Sequence, residues 1–274
     1  MRIVLHQNDA LDFLERIPDE SVDVIVTDPP YWTLDRWRKV GTTTRLGGNR
    51  VEENQRPEMF FETVDQEYLW RTFLELDRVL RLSGHLYIFC DDIVAPILLN
   101  WIREAQREHR FGEAHMLIWD KVNQGMGYHY RRRYECIIFA WREKRDGVRK
   151  FEKRKLADLG MADVLCHKRI VNSYPTEKPL ELLKDLVSQS ARPGNTLLDP
   201  FAGSGVLGAA ASLVGGGMNV ILNDKYDAAH EHMQKRFEEL GIETSYGERP
   251  REDVAEALIR LPEEAPALAV SEFD

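Results

Sequence analysis

The stretch NTLLDPFAGSGVLGAAASLV, residues 195–214, runs from apolar residues through an acid, a proline and glycines into a second apolar run. It reads as strand, glycine turn and helix. Gly203, Gly205 and Gly208 fit G-x-G-x-x-G, whose glycines let a ligand approach the backbone where a helix start offers N–H groups. Asp224 ends the next apolar run, MNVILND, at the place where an acid accepts hydrogen bonds from ribose hydroxyls. Asp199 stands just before the turn, where it would repel a pyrophosphate and suit a cationic group. A ligand that carries both a ribose and an amino-acid ammonium suggests S-adenosyl-L-methionine.

Outward from this stretch, strands and helices alternate. Residues 2–6 and 22–26 read as short buried strands, with Leu11, Leu14 and Ile17 on one helical face between them. Leu69, Phe73, Leu76 and Leu80 have helical spacing, with Gly84 as the expected stop. HLYIFC (85–90) is a strand, and APILLNWIREAQREH (95–109) is a helix with Pro96 near its start. HMLIWDK (115–121) and YECIIFAW (134–141) read as strands too close for a crossover helix, so an antiparallel hairpin is expected at the sheet edge. KPLELLKDLVSQSA (178–191) and KYDAAHEHMQKRFEEL (225–240) are helices, the second ending at Gly241. The pattern predicts an α/β fold: a doubly wound, mostly parallel sheet with an antiparallel edge hairpin.

A second turn, DPPY at Asp28–Tyr31, also follows a strand. In open α/β sheets ligands sit outside the carboxyl ends of strands, so both turns belong to one candidate site. Pro29 and Pro30 have no N–H and fix φ, which makes the turn rigid and rich in carbonyls. Asp28 and the Pro29 carbonyl can accept both hydrogens of one –NH₂ group, and Tyr31 offers a flat surface. The exocyclic amine of adenine or cytosine is a poor nucleophile because its lone pair is delocalised into the ring. Two acceptors on its hydrogens favour a pyramidal nitrogen with an available lone pair. Such a base has to leave the duplex first, at a cost of a few kcal/mol that stacking on Tyr31 can return.

The 274 residues are 43% hydrophobic and 30% charged, as in ordinary globular chains. The first residues lack the apolar core of a signal peptide. Cys90, Cys136 and Cys166 are widely separated without metal spacing, which points to a reducing, cytoplasmic setting and no disulfide framework. The net charge of −9 is segregated: Glu238–Asp274 holds eleven acids and three arginines, so the rest is near neutral. Basic clusters lie at Arg36–Arg50, at 131–133 and in Arg142–Lys155, and Arg131, Arg132, Arg133, Arg149, Lys150, Lys153 and Arg154 are candidate DNA contacts.

The order of the two turns resembles the β group of amino-methylating DNA methyltransferases, in which the catalytic Asp-Pro-Pro-Tyr precedes the cofactor turn Asp-Pro-Phe-x-Gly-Ser-Gly. The resemblance covers about residues 1–240. It implies a Rossmann-like methyltransferase fold, catalysis by Asp28, Pro29, Pro30 and Tyr31, and S-adenosyl-L-methionine held by Asp199, Phe201, Ala202, Gly203, Ser204, Gly205 and Asp224. NDALDFLERIPDESVDVIVTDPPY is similar to the family's opening segment, which implies that Asp9 caps the cofactor adenine. PTEKPLELL resembles its helix before the cofactor strand, which implies Lys178 near the cofactor. Asn8 and Val206 depart from the family's commoner Gly and Thr.

The resemblance implies one methyltransferase domain at 1–248, with a target-recognition insert at about 142–172 and a mobile loop at about 33–57. The acidic tail at 249–274 follows. Double-stranded DNA is the implied partner. A homodimer and a cognate restriction endonuclease are further partners to test for. Asp at the head of DPPY resembles adenine-N6 enzymes. Cytosine-N4 methylation is the nearest alternative, and a nicotinamide oxidoreductase built on Gly203–Gly208 is a remote one.

Overall fold

The computed structural model describes residues 1–34, 62–108, 110–125, 129–143, 154–170, 174 and 176–247. The basic cluster at 36–50, Arg149, Lys150, Lys153 and the acidic tail fall outside them.

The strands are β1 (Arg2–His6), β2 (Val22–Thr27), β3 (Leu80–Cys90), β4 (His115–Asp120), β5 (Tyr134–Trp141), β6 (Val164–Cys166), β7 (Thr196–Asp199), β8 (Asn219–Asn223) and β9 (Thr244–Tyr246). They form one sheet in the order β6-β4-β5-β3-β2-β7-β8-β1-β9. Every pairing is parallel except those of β5, which runs antiparallel to both β3 and β4. The helices are α1 (Ala10–Leu14), α2 (Gln66–Val79), α3 (Ala95–Arg107), α4 (Leu180–Ser190), α5 (Val206–Val214) and α6 (Asp227–Glu239).

The apolar runs are continuous because both sheet faces are covered. Val24, Val26, Tyr87 and Phe89 face a core built with α4, α5 and α6. Val22, Ile25, Leu86 and Ile88 face one built with α1, α2 and α3. From Val24 to Val26 successive residues of β2 serve opposite layers, the register shift between Val22 and Val24 puts Val22 on the side of Ile25, and the whole strand is buried. Among the described residues no helix is long and apolar enough to cross a membrane.

Two local expectations are corrected. The β4–β5 pair does not form the sheet edge, since β6 adds to β4 in parallel. The unpaired N–H and C=O groups of β4 explain why even a three-residue strand docks there. Helix α2 stops at Val79, not at Gly84: Leu80 is already extended (φ −70°, ψ 126°) and opens β3. Gly84 is instead a point of close approach. A Cβ there would come 2.7 Å from Leu80 Cδ1 and 3.0 Å from the Asp23 carbonyl on β2.

Candidate active site

β2 and β7 are neighbours, so the turns that leave their carboxyl ends meet. Thr27, the last residue of β2, donates its hydroxyl to Asp199 Oδ1 at 2.8 Å and ties the two motifs directly. Together they line a cavity of about 370 Å³. Asp28, Pro29, Pro30 and Tyr31 form one wall, and Asp199 to Ser204 with Asp224 form another.

The DPPY turn is held from both sides. Tyr31 N–H donates to the Pro29 carbonyl at 2.9 Å, and Val64 N–H donates to the Pro30 carbonyl at 2.7 Å. Each carbonyl oxygen keeps a second lone pair. Tyr31 is only 5% exposed and packs in the core while still lining the cavity. The Lys178 ammonium contacts Asp28 Oδ2, and Glu135 at the start of β5 lies 3.6 Å from the same ammonium. Lys121 pairs with the other oxygen of Glu135. Burial raises the Asp28 pKa despite the opposing charge of Lys178, and Glu135 pushes it the same way as burial.

The glycine turn differs from the expectation that its N–H groups face a ligand. Phe201 N–H donates to Asp199 Oδ1 at 3.0 Å, and Gly203 N–H donates to Asp224 Oδ2 at 2.8 Å. Ala202 and Gly205 N–H donate to the carbonyls of Asn223 and Ala202. The glycines here supply shape. Gly205 has φ 72°, and a Cβ on it would meet Met233 Cγ at 2.7 Å. Asp224 also accepts from Tyr226 N–H at 3.1 Å. Asp9 caps α1 through Leu11 N–H and accepts the Tyr68 hydroxyl at 2.8 Å, so it too is held in place at the cavity wall.

The cavity is acidic. Asp9, Asp28, Glu62, Asp65, Glu135, Glu177, Asp199 and Asp224 line it, against Lys178 and Lys225. Burial drives the Asp199 carboxyl up to about 7, against the pull of Thr27 and Phe201 N–H, with Asp28 and Asp224 adding to the rise. Such a wall suits a cationic ligand and opposes a pyrophosphate, which counts against the nicotinamide alternative.

Residues 22–235 match the N6/N4 methyltransferase family, described as DNA methylase. The chain belongs to this family. This DNA methylase is 28% identical over 197 residues to the type II methyltransferase M.HhaII of Haemophilus parahaemolyticus, covering 71% of this chain and 79% of that one. It is 26% identical over 242 residues to the DNA adenine methyltransferase YhdJ of Escherichia coli, covering 77% and 74%. The fold matches the crystal structure of the M1.HpyAVI–SAM complex with a TM-score of 0.59 at 20% identity, covering 85% of this chain and 99% of that one.

Of the residues singled out in the sequence, Asp9, Asp28, Pro29, Pro30, Tyr31, Lys178, Asp199, Phe201, Ala202, Gly203, Ser204 and Asp224 of this methylase all line the cavity. Gly205 caps α5 just behind it. Lys178 points at Asp28 rather than at the glycine turn, because Asp28 and Glu135 are the anions within reach of its buried ammonium. Arg131, Arg132 and Arg133 precede β5 at the cavity end of the sheet. There Arg132 pairs with Asp92 and Arg133 with Asp120.

Arg154 is a correction. It donates to Asp23 Oδ1 and Asn195 Oδ1, each at 2.8 Å, at the beginnings of β2 and β7. That is the opposite end of the sheet from the cavity, and Asp23 is a buried carboxylate that needs partners. Arg154→Ala should lower the melting temperature by on the order of 5 °C. DNA affinity, read by gel shift, should stay within about twofold. A large loss of affinity at unchanged stability would restore Arg154 to the DNA surface. The sequence reading missed Glu135, Tyr68 and Tyr226. The one signal for Glu135 was an acid opening the apolar run YECIIFAW.

Proposed function

We propose that the chain transfers a methyl group from S-adenosyl-L-methionine to the exocyclic N6 of adenine in a specific DNA sequence. The observation that carries this reading is the Thr27–Asp199 hydrogen bond, which joins the DPPY turn and the glycine turn in one acidic cavity. When bound, S-adenosylmethionine supplies an electrophilic methyl group and a net positive charge that fits these carboxylates. Asp224 would hold the ribose, Asp9 the adenine amine and Asp199 the amino-acid ammonium.

Asp28 and the second lone pair of the Pro29 carbonyl accept the two N–H groups of the target amine. They orient its nitrogen for an in-line approach of roughly 3–3.5 Å. Tyr31 supports the extruded base. A raised Asp28 pKa suits it to take the proton that the methylated nitrogen must lose. Asp at the head of the turn and the likeness to an adenine methyltransferase favour N6 over N4. The arginines at 131–133, which lie at the cavity end of the sheet, and Arg149, Lys150 and Lys153 in the basic segment are the proposed DNA contacts. A homodimer and a cognate endonuclease are the partners this reading allows.

Sequencing modified bases in DNA from cells that express the chain tests the reading. N6-methyladenine at one recurring sequence is the expected result. N4-methylcytosine would move the assignment to the alternative, and unmodified DNA would overturn both.

The titration of Asp199 gives a second check. A cationic ligand favours the ionised form, so binding should release a proton below pH 7 and tighten as pH rises. With the free carboxyl at about 7, the dissociation constant should be about tenfold larger at pH 6 than at pH 8. Asp199→Asn should flatten that dependence in calorimetry. A slope of equal size in the variant would remove Asp199 from the ligand's charge environment.

A further inference from the structure

Resting on the amine-methylating reading above, we infer that Glu135 is a positioning residue that draws the Lys178 ammonium off Asp28 when the target amine arrives. The need arises from the DPPY turn itself. Asp28 must present its full negative charge to an incoming N–H, yet in this structure the Lys178 ammonium contacts Asp28 Oδ2 and offsets that charge. Lys178 is buried, with its ammonium 5.1 Å from the centre of the Phe89 ring and 3.4 Å from the Thr176 carbonyl. Withdrawn from Asp28 into an apolar wall, that charge would be left without an anion, at a large desolvation cost.

Glu135 provides the second anion. Its Oε2 lies 3.6 Å from Lys178 Nζ, outside hydrogen-bond range but within an ångström of a charge-assisted contact. Its other oxygen is fixed by Lys121, so the carboxylate cannot swing away. Burial alone would raise the Glu135 pKa, but Lys178 and Lys121 hold it down at about 2, so it stays ionised. β5 fixes its height: Tyr134 pairs with Asp120 and Cys136 with Cys90, which places residue 135 level with the carboxyl end of β3. The ammonium thus has two carboxylates, one on the turn that must be freed and one on a strand that does not move. A small displacement exchanges them without stranding a charge.

Asp28 faces Lys178 from the loop before α4, Glu135 from β5, Lys121 beyond it, and Asp199 from β7. Removing the Glu135 charge should therefore leave Lys178 clamped on Asp28. Glu135→Gln keeps the shape and removes the charge. It should lower kcat by about ten- to a hundredfold, with cofactor affinity within about threefold of wild type. Adding Lys178→Met to Glu135→Gln should recover part of that rate, because the clamp is then absent. Glu135→Asp should fall between Glu135→Gln and wild type.

A readout that needs no DNA accompanies the kinetics. The Asp28 carboxyl, followed by carbon NMR, should titrate lower in Glu135→Gln than in wild type. Turnover of Glu135→Gln within twofold of wild type, a double variant no faster than the single one, or an unmoved Asp28 titration would each overturn the inference. If the wild-type chain modifies no DNA, the methylation reading fails on its own, and the effect of Glu135→Gln on the Asp28 titration, compared with and without Lys178→Met, still decides whether Glu135 acts through Lys178.

Discussion

Asp28→Ala should reduce methyl transfer by about a thousandfold while cofactor affinity changes less than about threefold. Asp28 is the acceptor that acts on the amine as its nitrogen becomes pyramidal. Removing one such preorganised group typically costs on the order of 10²–10³ in kcat. Here the same side chain also stands ready to take the departing proton. The fold should tolerate the change, since Lys178 keeps Glu135 as an anion. Asp28→Asn retains one acceptor oxygen and should lose less. Single-turnover kinetics beside calorimetry separate the two effects, because an interaction made mainly in the transition state lowers kcat more than binding. One consequence is opposite in sign. The Asp28 charge contributes to the raised Asp199 pKa, so Asp28→Ala should slightly tighten cofactor binding at pH 6. Turnover near that of the wild type would end the assignment of Asp28.

Asp224→Ala should weaken cofactor binding by on the order of a hundredfold. Part of the loss is direct, since a hydrogen bond to a charged acceptor is worth about 1.5–3 kcal/mol. The rest is structural. Asp224 accepts from Gly203 N–H and Tyr226 N–H, so its loss leaves both backbone donors without this partner and lets the glycine turn relax. Asp9→Ala should have a smaller effect. It removes a helix cap worth about 1 kcal/mol and the partner of the Tyr68 hydroxyl, but it does not anchor the turn. Calorimetry should rank Asp224→Ala well below Asp9→Ala in affinity. The reverse order would mean that the ribose lies elsewhere.

Strand and helix order could be read from the sequence because both faces of the central sheet are covered, so apolar runs mark strands and 3.6-residue spacing marks helices. Both turns could be read because proline and glycine reflect backbone needs. Gly205 requires φ 72°, and Gly84 sits where a Cβ has no room. Side-chain partners could not be read. Lys178 and Glu135 are 43 positions apart in sequence, and nothing local to either says that Lys178 lies between Glu135 and Asp28. Arg154 looked like its basic neighbours because pairing with Asp23 depends on the fold and leaves no trace in composition. The β6 strand was hidden for a similar reason: three residues carry no period, and only the open edge of β4 selects them.

The adjacency of β2 and β7 also governs the order in which this molecule can be made. Thr27 and Asp199 are 172 residues apart, and among the described residues β1 pairs only with β8 and β9. A nascent chain emerging from the ribosome therefore holds β1 without a partner until residues 219–246 have been synthesised. Until residue 196 appears, one edge of β2 is bare. Contacts this distant are slow to close and leave strand edges open to wrong pairing in the meantime. No amino-terminal fragment that ends before Asp199 would contain both walls of the cavity, so a chain cut short there in synthesis should have no methylating activity.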